Sequence, residues 1–328
     1  MSGRLIILVG FPASGKSTYV EKLKAKYPKN GVVLSRDDVG GTIANLLPKA
    51  RELLVAKKTV ILDNTNITRD ARKPFIALGK ELGARVTAIH LKNTIEDSQI
   101  KALHRMYQKY GEIFWTGKGS AAAATDPGVF PPAALFAARK RFEAPSTNEG
   151  FDEVTVVDAE PVKWDDLRYR GKAVFFDIDG TLRETSDLPL KYPTKPEEVQ
   201  LLKNYDIMAP KLRELLKHGY KLIGVSNQSG INKKTVTETR VAECMQRTRD
   251  LLDLTEKEMP IKWCPHNPAP ISCYCRKPQV GMFMHYVENM KLNPKECIMV
   301  GDSKTDETAA TRMGMRFIHS KVFWCGTL

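Results

Sequence analysis

The apolar run at residues 5–9 (LIILV) passes directly into GFPASGKS at residues 10–17 and then into a lysine-rich amphipathic segment. No other stretch restricts the fold of this chain as much. Five consecutive apolar residues without polar alternation read as a strand buried on both faces, which belongs in a parallel sheet. The glycines that follow let backbone N–H groups turn inward around an anion at the start of a helix. In that arrangement Gly10, Gly15, Lys16, Ser17 and Thr18 take the phosphates of a nucleotide, with Lys16 reaching the β and γ oxygens and Ser17 ligating magnesium. A glycine turn that only caps a helix is the plainer alternative.

Three further short apolar runs, at residues 32–34, 59–62 and 85–91, alternate with helical patterns, so the first half reads as α/β with a parallel sheet. Two of these runs end in polar clusters, Ser35-Arg36-Asp37-Asp38 and Asp63-Asn64-Thr65-Asn66. Ligands of open parallel sheets collect beyond the carboxyl ends of the strands, where both clusters fall, although either could be a simple helix cap. Phosphoryl transfer to a hydroxyl needs a carboxylate to take the proton and cations to meet the moving charge. Asp37 is the candidate base, and Asp38, Asn64, Thr65 and Asn66 are candidate substrate-binding residues. Residues 97–110 read as a helix with Lys101, Arg105 and Lys109 on one face. Such a stripe is usually solvated, but after the fourth strand it occupies the place of a lid, and Arg105 could clamp phosphates.

GFPASGKST, SRDD, LDNTN and the basic segment around Arg105 resemble the kinase domain of polynucleotide kinase-phosphatases over about residues 4–160. The resemblance implies an ATP-dependent 5′-hydroxyl kinase, with Asp37 as general base and Arg105 as lid arginine. Phage-type members carry an arginine three residues after the base; this chain has Gly40 there and in this resembles the animal enzymes.

Residues 117–148 are rich in Ala, Pro and Gly, and GKGSAAAA at 117–124 reads as a mobile loop; a strand pattern returns at 149–157. The boundaries expected are a first domain at 1–160, a polar linker at 161–170 and a second domain at 171–328. The second domain opens on KAVFFDIDGT, an apolar strand that delivers Asp177 and Asp179. Alternation sends both carboxylates to one side of an extended strand end, where they can share a metal and a phosphate. Two later apolar runs, KLIGVS and CIMVGDS, end at Ser226 with Asn227 and at Asp302, and Lys277 lies between them in CRKP.

In this order the four stations resemble the haloacid dehalogenase phosphatases over about residues 171–328. The resemblance implies that Asp177 is the nucleophile and Asp179 the acid and base. It also implies that Ser226 and Lys277 bind phosphoryl oxygens, Asn227 contributes to substrate binding, and Asp177, Asp179 and Asp302 surround magnesium with Asp306 in support. Within that superfamily CPHNPAPISCYCRKP resembles the zinc loop of histidinol-phosphate and heptose-bisphosphate phosphatases. Cys264, His266, Cys273 and Cys275 give CxH, six residues, then CxC, a set suited to a closed, structural zinc site, with a Cys273–Cys275 disulfide or unrelated thiols as alternatives. Only about forty residues separate the DxDGT motif from KLIGVS, too few for a large cap domain, so the site could admit a polymer end.

Length and charge agree with two domains and a polyanionic partner: 328 residues carry 51 Lys+Arg against 38 Asp+Glu, a net charge of +13. Neither an apolar leader segment nor a run of 18 apolar residues occurs, and six cysteines are too few for a disulfide scaffold, so an intracellular protein without a membrane span is expected. The sequence thus predicts a two-domain α/β enzyme of nucleic-acid ends, DNA or RNA, that uses ATP, magnesium and structural zinc. The competing reading is a bifunctional small-metabolite kinase and sugar or histidinol-type phosphate phosphatase.

Overall fold

Every apolar run read as a strand forms one in the computed structural model, which describes residues 3–40, 42, 45–119, 123–164, 167–186 and 192–326. The chain divides into two compact units. The first comprises Met1–Ala102 with Thr125–Val162, and the second Leu103–Ala124 with Lys163–Leu328.

The sheet of the first unit contains β1 (Arg4–Val9), β2 (Gly31–Ser35), β3 (Thr59–Asp63), β4 (Arg85–Lys92) and β5 (Glu153–Asp158), in the order β2-β3-β1-β4-β5 with every pairing parallel. Its helices are α1 (Lys16–Lys26), α2 (Arg36–Val39), α3 (Leu46–Val55), α4 (Arg69–Glu81), the first part of α5 (Ile95–Tyr110), and α6 (Pro132–Arg141). Because side chains alternate along a strand, Leu5, Ile7 and Val9 enter one core layer, with Leu46, Leu54 and Phe75, while Ile6 and Leu8 enter another, with Val20 and Leu23. The five apolar residues of β1, Leu5 to Val9, are at most 2 % exposed, and each such side chain contributes about 1.5–3 kcal/mol by leaving water. The central strand is thereby fixed, and with it the loop that leaves its carboxyl end.

Helix α6 was not legible in an Ala/Pro/Gly-rich stretch. Pro132 stands at its first turn, where a missing N–H costs nothing, and the alanines behind it are strong helix formers. Of the expected mobile loop at 117–124, residues 120–122 lie outside the described residues, and Ala123 beside them is buried.

In the second unit, β6 (Ala173–Phe176), β9 (Lys221–Asn227), β10 (Ile261–Cys264), β11 (Ile298–Gly301) and β12 (Arg316–His319) form a parallel sheet in the order β10-β9-β6-β11-β12. The short β7 (Arg183–Thr185) and β8 (Val199–Leu201) pair antiparallel, followed by α7 (Tyr205–Lys217), so no cap domain interrupts this stretch among the described residues. The remaining helices are α8 (Glu238–Leu251), α9 (Gly281–Met290), α10 (Lys304–Met313) and α11 (Ser320–Cys325).

The polar stretch expected as linker is partly structural, since Trp164 and Tyr169 are buried. Both belong with residues 103–124 in the second unit. The Glu288 carboxylate, fully buried on α9, accepts hydrogen bonds from Tyr169 Oη (2.7 Å) and Gln108 Nε2 (2.9 Å) and meets His104 Nδ1 at 2.5 Å. Trp164 packs edge-on against His104, and the Tyr274 amide donates to the Trp115 carbonyl. These partners explain why a segment between two parts of the first unit folds into the second.

Candidate active sites and metal centre

At the carboxyl end of β1 the loop turns through Ala13 and Gly15, both at positive φ. A Cβ on Gly10 would stand 2.6 Å from Ser14 Oγ, so the loop closes only with glycine there. No side chain caps α1, which leaves its first amides directed at whatever sits in the loop. Lys16 is only 8 % exposed and its ammonium folds over the loop, donating to the Phe11 carbonyl (2.7 Å) and the Gly10 carbonyl (3.1 Å). Ser17 Oγ donates to Asp63 Oδ2 at 3.3 Å. That pair, a hydroxyl at the loop and a carboxylate at the end of the adjacent strand, is hard oxygen chemistry suited to magnesium. Asp63 was read only as the start of a polar cluster; the apolar strand that ends on it was the available signal.

Ser35 accepts from the Asp37 amide and starts the one-turn α2, so SRDD is a capped turn that holds the Asp37 carboxylate on an accessible ledge, half exposed and 3.9 Å from the Arg36 guanidinium. The side chain of Asp38 lies outside the described residues. Asn64 and Thr65 line the end of β3: Asn64 Oδ1 accepts from the Arg36 amide, the Thr65 carbonyl accepts from the Gly10 amide, and Asn64 Nδ2 is buried without a hydrogen-bond partner. Asn66 departs from the expectation of a substrate contact. It is fully buried, and its amide donates to the Leu8 carbonyl (2.8 Å), pinning this loop to β1. Arg72, also fully buried, fixes the far side of the same loop. Its guanidinium donates to the Asn66 carbonyl (2.9 Å), the Glu143 carbonyl (3.0 Å) and both oxygens of Glu149 (2.7 and 2.8 Å). Arg105 is exposed on the part of α5 that belongs to the second unit, where its charge acts on Tyr274.

In the second unit Asp177 leaves the end of β6, its amide donating to the Val300 carbonyl. Lys277 Nζ lies 2.6 Å from Asp177 Oδ1, 2.7 Å from Asp306 Oδ1 and 2.8 Å from the Val225 carbonyl. Burial opposes the lysine's charge, but the two carboxylates outweigh it and hold the ammonium protonated. Burial pushes the Asp177 carboxyl up to about 7, against the pull of Lys277 and with the help of Asp306 and Asp179; burial and Asp306 also raise Asp302. Oxygens of Asp177, Asp302 and Asp306 lie within 4.8 Å of one another. Three carboxylates around one ammonium retain excess negative charge, which a hard divalent cation would neutralise. Gly180, at φ +79°, is required by contact as well as by conformation, because a Cβ would fall 2.2 Å from Asp302 Oδ2.

Two expected residues act differently here. Asp179, expected beside the metal, is turned to Arg183 Nε (2.8 Å) and Gln228 Nε2 (2.6 Å), and Asp306 joins the carboxylate group in its place. The reason is that β6 stops at Phe176, so the strand alternation that would align Asp177 with Asp179 does not extend through the loop. Asn227, expected to bind substrate, spends both ends of its amide on the backbone of Lys277, donating to its carbonyl (3.1 Å) and accepting from its N–H (2.9 Å). It therefore positions the lysine. Ser226 Oγ, at the end of β9, accepts from Gln228 Nε2. Buried Arg183, seven residues past the end of β6, had no apolar or glycine signal to mark it.

Cys264 ends β10, and its sulfur lies 3.7 Å from Cys273 Sγ and 3.5 Å from His266 Nδ1, with Cys275 Sγ 3.3 Å from the same nitrogen. Cys273 and Cys275 are both free thiols, so the alternative of a disulfide between them does not hold, and the 3.7 Å between the Cys264 and Cys273 sulfurs is far longer than a disulfide bond. A tetrahedron of thiolates about 2.3 Å and an imidazole about 2.0 Å from zinc has edges of about 3.5–3.8 Å, so the four residues fit that ion.

The comparisons with known proteins follow the division seen in the fold. Residues 5–110 match the AAA domain family and residues 172–323 the family described as polynucleotide kinase 3 phosphatase. The chain is 33% identical over 141 residues to a D-glycero-beta-D-manno-heptose-1,7-bisphosphate 7-phosphatase of Haemophilus influenzae, covering 41% of this chain and 73% of that one. It is 31% identical over 150 residues to the histidine biosynthesis bifunctional protein HisB of Legionella pneumophila, covering 45% and 40%. To the bifunctional polynucleotide phosphatase/kinase of Schizosaccharomyces pombe it is 28% identical over 163 residues, covering 48% of this chain and 34% of the relative. A kinase domain of this kind implies ATP, and a haloacid dehalogenase-type phosphatase implies magnesium. With a P-loop kinase unit that matches the AAA domain family and a phosphatase unit that matches the polynucleotide kinase 3 phosphatase family on one polypeptide, the chain is a bifunctional kinase and phosphatase.

Proposed function

We propose that this protein heals nucleic-acid ends inside the cell, adding phosphate to 5′-hydroxyls and removing it from 3′-termini. The observation that carries this reading is the absence of a lid domain over Asp177: among the described residues only β7, a single 3-10 turn at Pro196–Glu198, β8 and α7 stand between the DxDGT loop and β9, which leaves an approach for a chain end.

In the kinase reaction Lys16 and the α1 amides hold the β and γ phosphates of ATP while Asp37 takes the proton from the acceptor hydroxyl. Asn64 and Thr65 contact substrate at the strand ends. Ser17 with Asp63 would hold magnesium.

In the phosphatase reaction a carboxylate oxygen of Asp177 attacks phosphorus. A bond from that oxygen to phosphorus forms and the bond from phosphorus to the 3′ oxygen breaks, with Asp179 giving its proton to the leaving oxygen. Asp179 then takes a proton from water as the water oxygen attacks phosphorus and frees Asp177. Arg183 and Gln228 hold Asp179 for both steps, and Ser226 and Lys277 hold phosphoryl oxygens. Magnesium held by Asp177, Asp302 and Asp306 would supply charge neutralisation at the phosphate. Zinc held by Cys264, His266, Cys273 and Cys275 would fix the loop that presents Lys277, two residues beyond.

One observation favours a metabolite phosphatase: the 33% identity to a heptose-bisphosphate phosphatase exceeds the 28% to the polynucleotide enzyme. The test is incubation with γ-labelled ATP and an oligonucleotide bearing 5′-hydroxyl and 3′-phosphate, beside heptose bisphosphate and histidinol phosphate. Label at the 5′ end with phosphate release from the 3′ end is expected. Efficient turnover of a sugar phosphate with an untouched oligonucleotide would overturn the reading.

A further inference from the structure

Beside the zinc loop the second unit contains a cleft of about 320 Å³ that none of the four phosphatase stations lines. Its walls include two indoles, Trp115 and Trp263, together with Lys262, Pro265 and Glu238. Lys262 Nζ stands over the Trp115 ring, 5.5 Å from its centroid. Two indoles, one lysine and one carboxylate, with Ile261 and the zinc-loop residues His266 and Cys275 completing the lining, make a poor phosphate site, because the carboxylate repels the anion that the lysine attracts. The same set suits a neutral, flat heteroaromatic body with polar edges, whose faces stack on indole and whose rim accepts and donates hydrogen bonds.

The location narrows the occupant further. Trp263 is the register partner of Ser226 on the neighbouring strand, and adjacent strands lie about 4.8 Å apart. Cys275, another wall residue, is two positions before Lys277. The cleft thus opens next to the strand ends that hold the reacting phosphate. Trp115 itself lies between the two matched families, which end at 110 and resume at 172, and it is carried into this unit by the segment Leu103–Ala124. The wall is therefore an addition to the phosphatase scaffold.

We propose that this cleft stacks a nucleobase of the 3′-phosphorylated strand between Trp115 and Trp263, making the phosphatase selective for a single-stranded oligonucleotide over a mononucleotide. The proposal rests on the polynucleotide reading above.

The test compares wild type, Trp115→Ala and Trp115→Phe on a single-stranded 3′-phosphorylated oligonucleotide, thymidine 3′-monophosphate and p-nitrophenyl phosphate. Loss of one stacked base should raise the oligonucleotide KM roughly 5- to 100-fold in Trp115→Ala, with Trp115→Phe close to wild type. Turnover of p-nitrophenyl phosphate should be unchanged in both, which shows that the site is folded. Binding of the same oligonucleotide without its phosphate should quench wild-type tryptophan fluorescence, and less so in Trp115→Ala. An oligonucleotide KM unchanged by Trp115→Ala, in an enzyme that does remove 3′-phosphates from oligonucleotides, overturns the cleft alone. A wild type inactive on the oligonucleotide removes the polynucleotide reading and the cleft with it. If Trp115→Ala loses p-nitrophenyl phosphate turnover as well, the tryptophan is a structural post and the proposal fails.

Discussion

Asp37 and Asp177 stand in opposite surroundings, and their chemistry divides accordingly. Asp37 is half exposed on a capped turn, open to an incoming hydroxyl, whereas Asp177 is nearly buried and hydrogen-bonded to Lys277. Replacing a positioned carboxylate removes roughly 10²–10⁴-fold in rate. Asp37→Ala should lose that much kinase activity and keep its phosphatase, and Asp177→Asn should do the reverse; an Asp177→Asn enzyme that still releases phosphate would sink the covalent assignment. Another residue controls acid stability. Burial, reinforced by Lys262, holds His285 down to about 4. The folded state therefore favours the neutral ring, so stability from this group is complete above about pH 6.5 and is lost as pH falls from there toward 4. His285→Gln should flatten urea-unfolding stability across that window by on the order of 1–2 kcal/mol, and an unchanged slope would show that the ring does not titrate on unfolding.

At the scale of elements, Arg72 on α4 joins the Asn66 loop to the turn that carries Glu149. Arg72→Met should cost about 3–5 kcal/mol in chemical denaturation by stranding a buried carboxylate, and a loss below about 1 kcal/mol would mean that water replaces the guanidinium. The zinc loop gives a second element-scale test. Cys273→Ser should lower bound zinc, measured by metal analysis, and disable the phosphatase while the kinase continues; a fully active variant or a wild type with less than half an equivalent of zinc would remove the structural role. The strands were legible because their apolar runs end in polar residues at the ligand edge, and the phosphate loop, the DxDGT aspartates and the Cys/His set were legible from spacing alone. Arg72 was not, since a basic residue within RDARK reads as solvated until its distant partners Glu143 and Glu149 are known. Asp179 and Asn227 were recognised as site residues, but their orientations depend on Gln228, Arg183 and Lys277, contacts that a linear pattern does not encode.

At the scale of the molecule, the net charge of +13 belongs to a chain in which no described helix is long and apolar enough to cross a membrane. If the substrate is a polynucleotide, each backbone phosphate neutralised releases counterions. The oligonucleotide KM should then rise steeply between about 50 and 200 mM salt, by roughly 10³-fold if six or more phosphates are engaged. The same titration with a mononucleotide should be nearly flat, and equal slopes would favour a small-molecule substrate.

The division of the chain into units also bears on how it is made. The first unit needs residues 125–162 and the second needs residues 103–124, so their segments interleave in sequence. A chain emerging from the ribosome cannot finish the first unit until residue 162 is out, and by then residues 103–124 have already appeared without the sheet that will receive them. Domains that occupy contiguous sequence are completed one after another during synthesis. Here Ile113 and Phe114, buried in the final structure, must wait in solution for the strands of the second unit, and a phosphatase fragment cut at the start of its recognised family would be born without them.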